Sequence, residues 1–149
     1  MMNEKVETIM IKELITLGPE STVAHAVDIF KTKRIHHIPI VDEGKLVGLV
    51  TTHDLWNKYV APDDYASTPI KDIMSKKLVK IEPDDKVGTA AELFLDNRFH
   101  ALPVVKDEML VGLVTTFDVL RYEFKREYTS EPILFKDVLD KGMDAVHKH

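Results

Sequence analysis

His36-His37-Ile38-Pro39-Ile40-Val41, followed by Leu46-Val47-Gly48-Leu49-Val50-Thr51-Thr52-His53-Asp54, returns after a shift of 64 positions. The second copy reads His100-Ala101-Leu102-Pro103-Val104-Val105, then Leu110-Val111-Gly112-Leu113-Val114-Thr115-Thr116-Phe117-Asp118. The register holds upstream without a gap, pairing Ile9-Met10 with Ile73-Met74, Pro19 with Pro83, Ala26 with Ala90 and Phe30 with Phe94. Aligning Val6–Trp56 with Ile70–Leu120 gives about 20 identities in 51 positions. A duplication of this kind decides the architecture before any local pattern does. One copy of roughly 50 residues has too little core to be stable alone, so the two copies are expected to share one.

Each copy reads as strand–helix–strand–strand–helix. Leu14–Leu17 is a short apolar run closed by Gly18-Pro19, which predicts a first strand leaving into a turn. Val23, Ala26, Val27 and Phe30 then follow helical spacing, with Ser21 or Thr22 as the N-cap. Ile38–Val41 and Leu46–Thr51 are strands joined across Asp42-Glu43-Gly44-Lys45, and a helix follows from Thr52 to Tyr59. The second copy predicts strand Leu78–Ile81, helix Lys86–Arg98, strands Leu102–Val105 and Leu110–Thr115, and a helix from Phe117 to Tyr128. The expected fold class is α/β (α+β), two pseudo-symmetric β-α-β-β-α repeats packed through their sheets, plus a C-terminal helical extension. The expected divisions are 1–60 and 70–128 for the repeats, 61–69 for a turn-rich linker, and 129–149 for the extension. In that extension Phe135, Val138, Leu139 and Val146 share one helical face after a start at Ser130-Glu131-Pro132. Trp56, Phe30 and Phe94 fit helix faces and are expected to pack inside.

Composition narrows the function. The chain has 149 residues, no cysteine and a net charge of −5, with Lys and Arg interspersed among Asp and Glu. A nucleic-acid binder is not expected, because phosphate neutralisation requires a basic stripe. No apolar run is long enough for a membrane span. The start Met-Met-Asn-Glu-Lys lacks an apolar signal segment, so a cytoplasmic location is expected. Thr51 and Thr115 have no evident base and orienting partner, and no thiolate or phosphate loop is present, so no catalysis is expected. A metal centre is not expected either, since His36 and His37 as strand neighbours point to opposite faces.

Chemistry concentrates where a buried strand gives way to a helix, at Thr51-Thr52-His53-Asp54 and Thr115-Thr116-Phe117-Asp118. Free backbone N–H groups there attract an anion, and an ionised Asp accepts two hydrogen bonds from the vicinal hydroxyls of a ribose. Gly48 and Gly112 would let a ligand or another backbone approach the strand. Thr-x-x-Asp is also a capping box that satisfies the helix's own N–H groups, and the two roles are compatible.

These segments, each with Arg-x-His before the strand and Gly-Leu-Val-Thr-Thr-x-Asp after it, resemble tandem cystathionine-β-synthase (CBS) domains, the pair known as a Bateman module. The resemblance covers roughly residues 6–120 and implies regulatory binding of AMP, ADP, ATP or S-adenosylmethionine in clefts between the repeats. No catalytic cofactor is implied. The resemblance also implies a homodimer of modules and output through an unidentified effector protein. Carried over by position, Asp54 and Asp118 match the ribose-binding acid, and Thr51 and Thr115 a hydroxyl that contacts ribose or phosphate. Thr16 matches a nucleotide-contacting position, with Lys80 as its twin. The backbone around Ile38-Pro39 and Leu102-Pro103 would border the adenine. His36 and His100 match a phosphate-facing basic position, and His37 a position often held by Arg. Ala101 in place of His37, and Phe117 in place of His53, imply two unequal sites. The alternative is a ligand-free structural or dimerisation module that uses the same fold for protein contact.

Overall fold

The computed structural model describes residues 3–58, 60–97 and 99–127. The expected extension 129–149 lies outside the described residues, as do Tyr59, Arg98 and Tyr128. The chain runs α1 (Val23–Lys33), β1 (His37–Asp42), β2 (Lys45–Thr51), α2 (Thr52–Asn57), α3 (Val87–Asn97), β3 (Ala101–Lys106), β4 (Met109–Thr115) and α4 (Thr116–Glu127). Short 3-10 turns lie at Val6–Thr8, Pro62–Asp64 and Ile70–Asp72. Four strands form one sheet in the order β1-β2-β4-β3.

Each hairpin is set by its turn. Glu43 and Gly44 have φ of 50° and 83°, and their twins Asp107 and Glu108 have 52° and 69°. Positive φ at both central residues matches the right-handed twist of the flanking strands, so β1–β2 and β3–β4 pair tightly. The two hairpins then meet edge to edge, with Lys45 of β2 opposite Met109 of β4. Thr22 caps α1, its hydroxyl accepting from the His25 amide at 3.3 Å.

The expected first strands reduce to single parallel bridges, Leu17 to Ile40 and Ile81 to Val104. Pro19 and Pro83 follow within two residues and have no N–H to extend a ladder. Leu14, Ile15, Leu78 and Val79 instead turn aside to line cavities.

The two hydrophobic cores do not follow the repeat boundaries. The first contains Leu17, Val23, Ala26, Ile38, Ile40 and Val50, together with Ile70, Ile73 and Met74 from the second repeat. The second contains Ile81, Val87, Ala90, Phe94, Leu102, Val104 and Val114, together with Val6 from the first. Backbone bonds fix this exchange symmetrically. The Ile70 amide donates to Ser21 and the Val6 amide to Asp85, at 2.6 and 2.7 Å. Farther along the same segments, Ser75 bridges to Leu49 of β2 and Ile11 to Leu113 of β4.

This exchange gives the strand glycines their role. A Cβ on Gly48 would lie 2.8 Å from Met74 Cγ, and one on Gly112 would lie 2.8 Å from Met10 Cγ and 3.1 Å from the Ile11 carbonyl. The close approach anticipated at these glycines is therefore made by the partner repeat's leading segment. Phe94 is buried and Phe30 packs on the first core, but Trp56 is 86% exposed. α2 spans only six residues, and the face it turns to the first core carries Leu55, which leaves the neighbouring Trp56 pointing outward.

Candidate functional site: two clefts that share a histidine wall

The exchanged segments cross β2 and β4 near the ends of those strands, and a cleft opens beside each crossing. The first, of about 610 Å³, is lined by Thr51, Thr52, His53 and Asp54 on one side. Ser75, Lys77, Leu78 and Val79 of the exchanged segment face them, with Phe99, His100, Ala101 and Pro103 beyond. The second, of about 410 Å³, carries the twins Thr115, Thr116 and Phe117, with Ile11, Glu13, Leu14 and Ile15 opposite. His36, His37 and His100 border both cavities.

Of the residues singled out in the sequence, His36, His37, Thr51, His53, Asp54, His100, Ala101 and Pro103 come together in the first cleft. Thr115 and Pro39 lie on the second. Ile38 and Leu102 point into the cores, 0% and 1% exposed, so only their backbone can border a ligand. Thr16 and Lys80 line neither cleft, and Asp118 lies on a separate groove. Ser75, Lys77 and Glu13 escaped the sequence reading. The aligned pairs Ser75/Ile11 and Lys77/Glu13 were visible as departures from the repeat, but their place opposite Thr51 or Thr115 depends on the exchange.

Both Asp residues do cap helices. The Asp54 amide donates to Thr51 Oγ1 at 3.0 Å, and Asp54 Oδ2 accepts from the Thr51 amide at 2.9 Å. The other oxygen, Oδ1, accepts from the Ser75 hydroxyl at 3.4 Å, and both residues line the cleft. A carboxylate that uses one oxygen for the cap keeps the other for a partner. Asp118 repeats the cap at 2.9 and 3.1 Å but is only 4% exposed, and Arg121 donates to its Oδ1 at 3.4 Å.

The first cleft holds one lysine and one carboxylate, Lys77 and Asp54, with His36, His37, His53 and His100 around them as hydrogen-bonding imidazoles. In the second cleft Glu13 stands where Lys77 was, and Phe117 where His53 was, while Arg34 contributes a cation of its own. His36 sits in the bend before β1 rather than within the strand, so both it and His37 border the cavities. Among the described residues no three His, Asp or Glu side chains are grouped to hold a metal.

Burial pushes the His37 imidazole below its ordinary value of 6.5, and the charges of His36 and His100 push it the same way against Asp54. Below 6.5 the unfolded chain therefore takes up a proton that folded His37 resists. The stability due to neutral His37 is complete above that value and is lost as pH falls through the lowered folded value. Urea midpoints measured between about pH 7 and 5 should fall less steeply for His37→Gln than for the wild type. Equal slopes would show that His37 does not carry this dependence.

The sequence model of the CBS domain matches residues 6–55 and again 70–125. The chain belongs to the CBS-domain family. It is 35% identical over 127 residues to inosine-5'-monophosphate dehydrogenase of Methanocaldococcus jannaschii, covering 84% of this chain and 24% of that protein. The chain thus spans about a quarter of that CBS-containing relative's length. Among solved structures it resembles CBSX2 in complex with AMP, with a TM-score of 0.76 and 25% identity over 84% of this chain and 99% of that one. It also resembles the CBS domain pair of MJ0100 in complex with 5'-methylthioadenosine and S-adenosyl-L-methionine, with a TM-score of 0.72 and 31% identity over 83% of this chain and 98% of that one. These neighbours make the CBS pair a module whose relatives bind adenosine compounds. Among the described residues no helix is long and apolar enough to cross a membrane.

Proposed function

We propose that this CBS pair is a regulatory module that binds a phosphorylated adenosine ligand in its first cleft and carries out no chemistry of its own. The observation that carries the reading is Asp54, with one oxygen outside its cap, lining a cavity large enough for a nucleotide beside Lys77 and the histidines. The carboxylate suits a ribose diol, and Lys77 with imidazole N–H donors suits phosphate. A ligand with a cationic sulfonium tail would meet Lys77 and be repelled, so AMP, ADP or ATP fits this cleft better than S-adenosylmethionine. Occupancy would bridge α2 of one repeat to the exchanged segment and β3 of the other. That contact biases the angle between repeats, which supplies the differential affinity a conformational signal needs.

Calorimetric titration tests the reading. AMP is expected to bind at least about tenfold more tightly than adenosine, because charge-assisted hydrogen bonds to phosphate contribute roughly 1.5–3 kcal/mol. Equal affinities would remove the phosphate from the proposal, and no binding of any adenosine compound at millimolar concentration would remove the function.

One observation favours a second role beside the first. Trp56 and its twin Leu120 are 86% and 66% exposed, and Phe117 is 64% exposed on α4. An exposed indole is apolar surface that association would cover, and a second copy of the module is the occupant a homodimer supplies. Sedimentation at increasing protein concentration reads this directly, and a monomer at every concentration would exclude it.

A further inference from the structure

The repeat places two carboxylates at equivalent positions, but the fold treats them differently. Asp54 is half-buried, lines the first cleft, and offers an oxygen met by the Ser75 hydroxyl at 3.4 Å. Asp118 is 4% exposed and borders a groove with Arg121, Lys125 and Arg126 instead of the second cleft. Its Oδ2 accepts from both the amide and the hydroxyl of Thr115, each at 2.9 Å, and its Oδ1 accepts from Arg121 Nη2 at 3.4 Å. The guanidinium is itself held, lying 5.6 Å from the centroid of the Phe117 ring.

The twin positions explain the difference. Shifting Arg121 back by 64 gives Asn57, whose amide pairs with His53 Nε2 at 2.7 Å rather than with Asp54. Shifting Phe117 back gives His53, so the ring that seats the guanidinium has no counterpart in the first copy. A cation three residues after the acid therefore occurs in one repeat and not in the other; Lys58, four residues after Asp54, donates to the Ile73 carbonyl at 3.0 Å instead.

We infer that Arg121 is an internal stopper, occupying the carboxylate oxygen that a ribose would take and leaving this chain with one nucleotide site. The inference rests on the reading of Asp54 as a ribose acceptor. A diol entering the second cleft would have to displace a cation from a buried acid and reorient Asp118, whereas in the first cleft it displaces a neutral serine hydroxyl from a half-buried one, the two contacts being equally long at 3.4 Å. The ligand class that the second cleft is closed to is thus any ribosyl compound, with or without phosphate.

Two reciprocal variants test it, with AMP and adenosine as the probes. The wild type should bind one equivalent of AMP per chain. Arg121→Asn, which copies the first repeat, should bind a second equivalent of AMP or adenosine, and the further change Asp118→Ala should return it to one. Asn57→Arg, which installs the stopper beside Asp54, should weaken AMP binding by at least about tenfold. Asn57 is exposed, so this second variant keeps the test available should Arg121→Asn fail to fold. A wild type that already takes two equivalents overturns the inference. So does Asn57→Arg binding AMP as the wild type does, or a folded Arg121→Asn that still takes one. A wild type that binds no AMP removes the underlying site instead, which is a different result.

Discussion

Asp54→Ala is expected to lower AMP affinity by about a hundredfold or more while leaving a folded protein. A ribose diol gives two hydrogen bonds to an ionised carboxylate, and losing charge-assisted bonds of roughly 1.5–3 kcal/mol each reaches that figure even with partial compensation by water. The same substitution removes the capping bond from Asp54 Oδ2 to the Thr51 amide, which costs about 1 kcal/mol of stability. Asp118→Ala provides the contrast. It loses an equivalent cap and should cost a similar stability, yet AMP affinity should stay at the wild-type value because Asp118 lies outside both clefts. Calorimetry and urea denaturation on the two variants separate binding from capping. Wild-type affinity in Asp54→Ala would mean that both acids are caps and nothing more.

The second large effect lies far from either cleft. Ile70 is 0% exposed and belongs by sequence to the second repeat, but its side chain completes the first core. Ile70→Ala is expected to cost about 2–5 kcal/mol, a large part of the 5–15 kcal/mol that holds a domain of this size. Because each core holds residues from both repeats, the loss should appear as one cooperative transition at lower urea, seen equally by probes in either half. Two separated transitions, with the first repeat unaffected, would contradict the exchange. The reason for a single transition is geometric. The Ile70 and Val6 amides are bonded to the opposite repeat, so neither half can open without releasing a segment of the other.

The four sheet strands and the four α-helices were legible in the sequence because each depends on nearby residues. Alternation and apolar runs mark β1 to β4, Thr22 and Thr51 announce helix starts, and the tight turn at Glu43-Gly44 closes a hairpin. The Leu14–Leu17 strand failed because an apolar run does not say whether it has a partner. Here its neighbours Pro19 and the cleft leave room for one bridge. Trp56 failed for a related reason: apolar character does not say which face of a short helix meets the core, and in α2 that place is taken by Leu55. The Asp54 and Thr51 motif was readable, and Ala101 and Phe117 already implied unequal sites, whereas the burial of Asp118 outside both clefts was not readable.

What the chain's order of residues determined alone was the duplication, the two hairpins and the capped strand-to-helix junctions, since all of these arise from contacts within a few residues or from exact recurrence. Tertiary structure decided which repeat completes which core, why Gly48 and Gly112 must lack a side chain, and which carboxylate faces a cavity. The physical reason is that those outcomes depend on residues distant in the chain, such as Met74 against Gly48 and Met10 against Gly112, competing for the same space. Lys77 reaches the first cleft only because its segment crosses β2.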